Sequence, residues 1–202
     1  MRSPLNVREV IEHYDSVLTV DEWILWNPVT WMVAEPFGGP WSLQEIGNKV
    51  SGEHDFHVEG IHVKEGMEDE DNPHLFIDFQ GDAFFLFDTY DITDRHGRLQ
   101  RLLGDDSLVW SVHFAGPARY TFNYLVNGQT QMSTNDILRE DTLGVGVPLA
   151  DDIEELRVAW RAQPGKYLSS AALTIMSTAS GVTLSSEWLD SVQRTLVTEN
   201  FP

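Results

Sequence analysis

The sequence predicts an α+β protein. One domain over residues 1–202 is built on an antiparallel sheet of about five to seven strands, with helices packed on it and a helical C-terminus. Three observations carry this. Hydrophobic runs at 75–79, 83–87 and 108–126 lie close together with turn residues between them, the last run being broken at Ala115-Gly116-Pro117-Ala118. The third run meets Asn127-Gly128, a pair that tolerates the positive φ of a type I′ hairpin turn. Beyond residue 150 the apolar spacing changes from two to three and four, the spacing of a helix face. Residues 75–134 therefore form the sheet core and residues 151–197 a group of C-terminal helices.

A chain of 202 residues is long enough to bury roughly 70% of its unfolded surface. Seven Trp and ten Phe supply a core rather than a disordered coil. Cys is absent, which excludes disulfides, thiolate metal sites and thiol nucleophiles. No apolar run reaches the length of a membrane span and the first residues lack an apolar leader, so a cytoplasmic protein is expected.

Charge narrows the function classes. The net charge is -19, from 13 Lys+Arg against 32 Asp+Glu. Between residues 53 and 94 stand 13 acidic residues against Lys64 alone, so 12 of the 19 excess charges fall there. Direct binding to nucleic acid or to an anionic membrane is disfavoured, because phosphates require Lys and Arg. A basic protein partner is attracted instead. The plainer alternative is a solvated acidic surface that keeps the protein soluble.

Taken in order, Val7, Val10, Ile11 and Tyr14 follow i, i+3, i+4 and i+7, so 6–14 reads as a short amphipathic helix. Trp23, Trp26, Trp31 and Trp41 come next. Such a cluster can stack on a sugar or a base, but more often fills a core. Trp31-Met32-Val33-Ala34 reads as a strand that ends at Pro36-Phe37-Gly38-Gly39-Pro40. Ser42 and Glu45 form a capping box for a helix burying Leu43, Ile46 and Val50. Residues 58–63 suggest a strand. Residues 65–73 read as a loop, having no Phe, Ile, Leu or Val to bury.

If Gln80-Gly81 closes the next hairpin, Phe79 faces Asp82 and Ile77 faces Phe84. Leu75, Ile77, Phe79, Phe84 and Leu86 then share one face, and Phe76, Asp78, Ala83, Phe85 and Phe87 the other. Both faces are apolar, so this hairpin is covered twice or offers an interface. Thr93-Asp94 begins a helix through Leu99, Leu102 and Leu103, closed by Gly104, with Arg95, Arg98 and Arg101 as a basic stripe. Leu108, Trp110, Val112 and Phe114 alternate with Ser111 and His113, for which one covered face suffices. Across Asn127-Gly128, Val126 faces Gln129, Tyr124 faces Gln131 and Phe122 faces Ser133. Asp151-Asp152 opens a helix with Ile153, Leu156 and Trp160, broken by Pro164-Gly165. Leu168, Ala172, Ile175, Met176 and Ala179 make a second, closed by Gly181. Ser185 or Ser186 caps a third, carrying Leu189, Val192 and Leu196.

The segments Ser107-Leu108-Val109-Trp110-Ser111-Val112-His113-Phe114, Arg119-Tyr120-Thr121-Phe122-Asn123-Tyr124 with its Asn127-Gly128 turn, Ala171-Ala172-Leu173 and Ser180-Gly181-Val182-Thr183-Leu184-Ser185-Ser186-Glu187-Trp188-Leu189-Asp190 carry a resemblance. Together they resemble the C-terminal half of a bacterial, chiefly actinobacterial, domain-of-unknown-function family (number 6461). The resemblance covers about half of the chain and implies no catalytic residues.

Candidate chemistry is sparse. His54, His57 and His62 with nearby carboxylates have loose zinc spacing, but no helix places them on one face. Glu68-Asp69-Glu70-Asp71 offers oxygen ligands without the order of a calcium loop. Asp78 and Asp88 would make an acid/base pair only on one face, and the register separates them. Gly144-Val145-Gly146 lacks the third glycine of a nucleotide loop. No catalytic residue, metal or cofactor is expected. The sequence points to a non-enzymatic acidic binding protein of the immunity or inhibitor type, docking a basic toxin or nuclease domain. Its partner-binding acids are Glu65, Glu68, Asp69, Glu70, Asp71, Asp78, Asp82, Asp88 and Asp91. The alternatives are a metal-assisted hydrolase using His54 and His57, and an acidic DNA-mimic inhibitor.

Overall fold

The computed structural model describes residues 6–52, 55–68, 74–89, 99–100, 103–115, 119–139 and 149–198. In chain order they form α1 (Val7–Val20), α2 (Trp23–Trp26), β1 (Val29–Pro36), α3 (Leu43–Ser51), β2 (Phe56–His62), α4 (Val63–Glu68), β3 (Leu75–Gln80) and β4 (Ala83–Asp88). There follow β5 (Ser107–Phe114), β6 (Tyr120–Val126), β7 (Gln129–Thr134), α5 (Ala150–Ala162), α6 (Leu168–Ser180), α7 (Ser186–Leu189) and β8 (Val192–Thr198). The eight strands make one sheet, ordered β2-β8-β3-β4-β1-β5-β6-β7. Every neighbouring pair is antiparallel. The α+β class stands, with one strand more than the expected range.

The β3–β4 hairpin turns at Gly81-Asp82 rather than Gln80-Gly81, because Gln80 pairs with Ala83 and Phe79 with Phe84. Gly81 takes the turn's positive φ of 67°. Each partner moves by two residues from the expected register, and a strand repeats every two, so no side chain changes face. One face carries Phe76, Phe85 and Phe87 with Trp31, Val33, Trp110, Val112 and Phe122, under apolar residues of α1, α5 and α6. The other carries Leu75, Ile77, Phe84 and Leu86 with Met32, Ala34, Val109 and Leu125, under Ile46 and Val50 of α3 and under Leu99 and Leu103. The sheet is the middle of three layers. Ser111, expected to face outward, is completely buried on the second face and accepts a hydrogen bond from Gln100 Nε2 at 2.5 Å. One covered face was too few for β5 and β6.

The helices of the first face are fastened by polar contacts between distant parts of the chain. Val17 and Leu18 prolong the apolar stripe of α1 beyond residue 14. α6 is buried around most of its circumference, and Ser and Thr suit it because Thr174 and Ser180 hydroxyls donate to carbonyls one turn back. Tyr167 gives α6 no side-chain cap. Asp15 of α1 does so instead, accepting from the backbone N–H of Lys166 at 2.7 Å and of Tyr167 at 3.3 Å, and from Ser170 Oγ at 2.7 Å. A carboxylate there also meets the positive end of the helix dipole. Tyr14 bonds to Ser177 and accepts from Leu184 N–H at 3.2 Å, and its burial drives the phenol pKa upward. On β3, Gln80 grips Thr183 twice, donating to its carbonyl and accepting from its N–H, each at 3.1 Å.

Three expectations are corrected. The third C-terminal helix is only the short α7, capped by Ser185. Residues 192–198 instead form β8, which enters the sheet between β2 and β3 and sets Leu196 beside Val58 and Leu75. Of the expected loop 65–73, residues 65–68 belong to α4, which begins at Val63. Val63 anchors it in the core, and an added Cβ on Gly66 would come within 2.6 Å of the Phe76 ring. At Asn127-Gly128, with φ of 49° and 68°, Val126 does face Gln129. A bulge at Tyr124/Leu125 then shifts Tyr124 to Met132 and Phe122 to Thr134. The proposed cap at Thr93-Asp94, the stripe of Arg95, Arg98 and Arg101 and the glycines at 144 and 146 lie outside the described residues.

Candidate functional site

Of the nine acids expected to bind a partner, Asp69, Glu70, Asp71 and Asp91 lie outside the described residues, and Glu68 is placed only as the last residue of α4. Glu65 is exposed on α4 and Asp82 is exposed in the β3–β4 turn. Asp78 is half-buried and turns back on its own strand, its Oδ1 accepting from Phe79 N–H at 2.8 Å. Asp88 is 2% exposed. It sits at the buried end of β4, opposite Leu75 and Thr30, and cannot meet a partner from there. The expected patch is thus only partly a surface.

The electrostatics of the exposed acids follow from where the cations are. Arg8 pairs with Glu12 at 2.8 Å. Lys49 lies 4.4 Å above Trp41, Lys166 lies 4.7 Å above Tyr167, and Arg194 covers Phe79. Arg157 is 4% exposed, directed at the carbonyls of Ile137 and Arg139. Against these engaged cations, Asp55, Glu59, Glu65 and Asp82 form no ion pair with any described residue. On α5, Asp152 has its carboxyl pushed up by partial burial and then by the like charges of Glu155 and Asp151. The described surface carries negative charge that the described cations do not pair with.

Sequence reasoning missed two arrangements. The first joins Asp21, Lys64 and Asp190. Asp21 is fully buried just after α1, and its Oδ1 accepts from Trp23 Nε1 at 3.3 Å. Lys64 Nζ lies 3.8 Å from that oxygen and bonds to Asp190. The Asp190 bond, foremost, holds the Lys64 pKa above its ordinary value. An ammonium so stabilised keeps its proton and is no base or nucleophile. The triad fastens α4 to the turn after α1 and to the end of α7. The second arrangement is the outer side of β2, where exposed Asp55 and Glu59 accompany Val58 at 38% and Val192 of β8 at 62% exposure. Residues 192–198 show no clean alternation of apolar and polar side chains, so the sequence held no signal for it.

The other candidate chemistry does not converge. His54 is outside the described residues, while His57 is exposed and His62 half-buried. They stand five residues apart on β2 and so point to opposite faces. Among the described residues no group of three or more His, Cys, Asp or Glu could hold a metal ion. Asp78 pairs with Phe85 on the first face, while Asp88 shares the face of Leu75, so the two carboxylates stay apart. No helix among the described residues is long and apolar enough to cross a membrane. In the Trp cluster, Trp31 is fully buried, Trp23 and Trp41 are half-buried, and Trp26 is 67% exposed. A scan of protein-family models gives no match to the chain, and searches of the curated proteins and of the solved structures give none either.

Proposed function

We propose that this chain is a non-enzymatic binding protein whose acidic surface docks a basic protein partner. The concrete form is an immunity-type or inhibitor protein that captures a cationic toxin or nuclease domain. One observation carries the reading: among the described residues most cations are engaged within the chain, while Asp55, Glu59, Glu65 and Asp82 form no ion pair with a described cation. Long-range attraction then raises the rate of encounter, and near contacts hold the complex.

The test is association with a panel of purified basic toxin and nuclease domains at low and high salt. At least one complex is expected whose association slows as salt rises, because the screening length falls to about 3 Å at 1 M. Neutralising Glu65, Glu68, Asp69, Glu70 and Asp71 together should slow the same association and leave folding intact. No complex across the panel, or one indifferent to both salt and the five substitutions, would overturn the reading.

A further inference from the structure

The outer side of β2 has a construction that the acidic reading alone does not require. Among the described residues β2 is a terminal strand, paired with β8 on one side only. Its residues are exposed or half-buried along its whole length. An outermost strand presents every second backbone N–H and C=O to solvent. Natural edges are commonly guarded by Lys, Pro or a bulge. Residues 56–62 contain neither Lys nor Pro, and β2 pairs with β8 in unbroken register from Phe56↔Thr198 to His62↔Val192.

Its two faces differ in chemistry. Glu59 pairs with Thr195, which pairs with Phe76, so Glu59 belongs to the first face, and exposed Asp55 lies just before the strand. Val58 and Val192 belong to the second face and are the exposed apolar surface there. A strand that suits both would carry Lys or Arg at one alternation and apolar residues at the other. Resting on the acidic docking reading, we propose that the outer edge of β2 takes up such a basic, amphipathic extended segment of the partner as an added strand. Backbone hydrogen bonds would supply affinity, and the alternating side chains register. A second copy of this chain fits poorly, since antiparallel pairing about Glu59 would set like charges opposite one another. The opposite edge, β7, offers no acid within 129–134 and is bulged against β6.

The test uses an acetylated ten-residue peptide of alternating Lys and Val. Two counterparts carry the same charges but are N-methylated at every second residue, one in each alternation. The parent peptide should bind at 20 mM salt and slow backbone amide exchange in residues 56–62 but not in 129–134. One N-methylated counterpart should bind at least tenfold more weakly and the other nearly as well. Glu59→Lys, at an exposed position, should keep the fold and weaken the parent peptide by up to about fivefold. Equal binding of all three peptides would overturn edge addition while leaving acidic docking standing. Protection at 129–134, or a dimer of the chain that protects 56–62 without peptide, would overturn it as well. Failure of the parent peptide to bind would take the docking reading down with it.

Discussion

The β3–β4 hairpin and the β2–β8 ribbon are neighbours in one sheet and opposites in environment. In the hairpin, Phe76, Phe84, Phe85 and Phe87 are buried, two layers of helix close over them, and ring contacts run from Phe85 to Trp31 and Trp188. In the ribbon, β2 keeps only Phe56, Ile61 and His62 half-buried, and Val192 on β8 is mostly exposed. Strands of similar length thus have different tasks. The hairpin lies at the centre of the packing, whereas β2 contributes little to it.

The sharpest test of that contrast is truncation in the hairpin. Phe85→Ala should lower stability by about 3–5 kcal/mol, because the cavity is closed in by helix and sheet. Denaturant unfolding reads this, and a loss below about 1 kcal/mol would show the centre to be no tighter than the edge. Next comes the seam holding β2 to α3. Alanine for glycine within a helix ordinarily gains up to about 1 kcal/mol. At Gly47, however, a Cβ would lie 2.1 Å from the Phe56 ring. Gly47→Ala should therefore cost about 1–3 kcal/mol through overpacking, and a net gain would mean that β2 moves aside freely.

A smaller effect belongs to the start of α3. Ser42 Oγ accepts from Glu45 N–H at 3.2 Å, and Glu45 Oε2 accepts from Ser42 N–H at 2.7 Å. Ser42→Ala should cost about 0.5–2 kcal/mol. The hydrogen bond from the Ser42 backbone, foremost, holds the Glu45 carboxyl below its ordinary range. Its stabilisation is therefore present above the unfolded carboxylate pKa and lost as pH falls through the lower folded value. Glu45→Gln should flatten that acid-side decline, and an unchanged pH profile of stability would remove Glu45 from the account. Smallest of all, Val58→Thr at the exposed edge should stay within about 0.5 kcal/mol of the parent. A larger loss would place Val58 under cover.

How much of this was legible varies from element to element. The faces of β3 and β4 could be read even with the turn misplaced by one residue, because an error of two in pairing preserves parity. β8 could not, because Val192 and Leu196 are four apart, and a spacing of four keeps two residues on one face in a helix and in a strand alike. What decided the matter was the vacancy beside β3, a property of the whole sheet. α4 was hidden because its hold on the core is Val63 and a glycine against a ring, too little to make a periodic signal. The acids of the candidate site were visible as composition, but composition does not say which are buried. Asp88 was counted with them because it is acidic, and only its position at the end of a central strand withdraws it.

The place of β8 has a consequence for the order in which the molecule assembles. Among the described strands, β2 reaches β3 only through β8, and more than a hundred residues separate β8 from β3 along the chain. The hairpins β3–β4, β5–β6 and β6–β7 join strands close in sequence and can form early. The β2 side must wait for a pairing that closes a very long loop, and such pairings form slowly. Until β8 arrives, the edge of β3 and the apolar side of Phe56 stay open. In that interval the like charge of the Asp and Glu residues in this region disfavours the approach of a second unfinished chain.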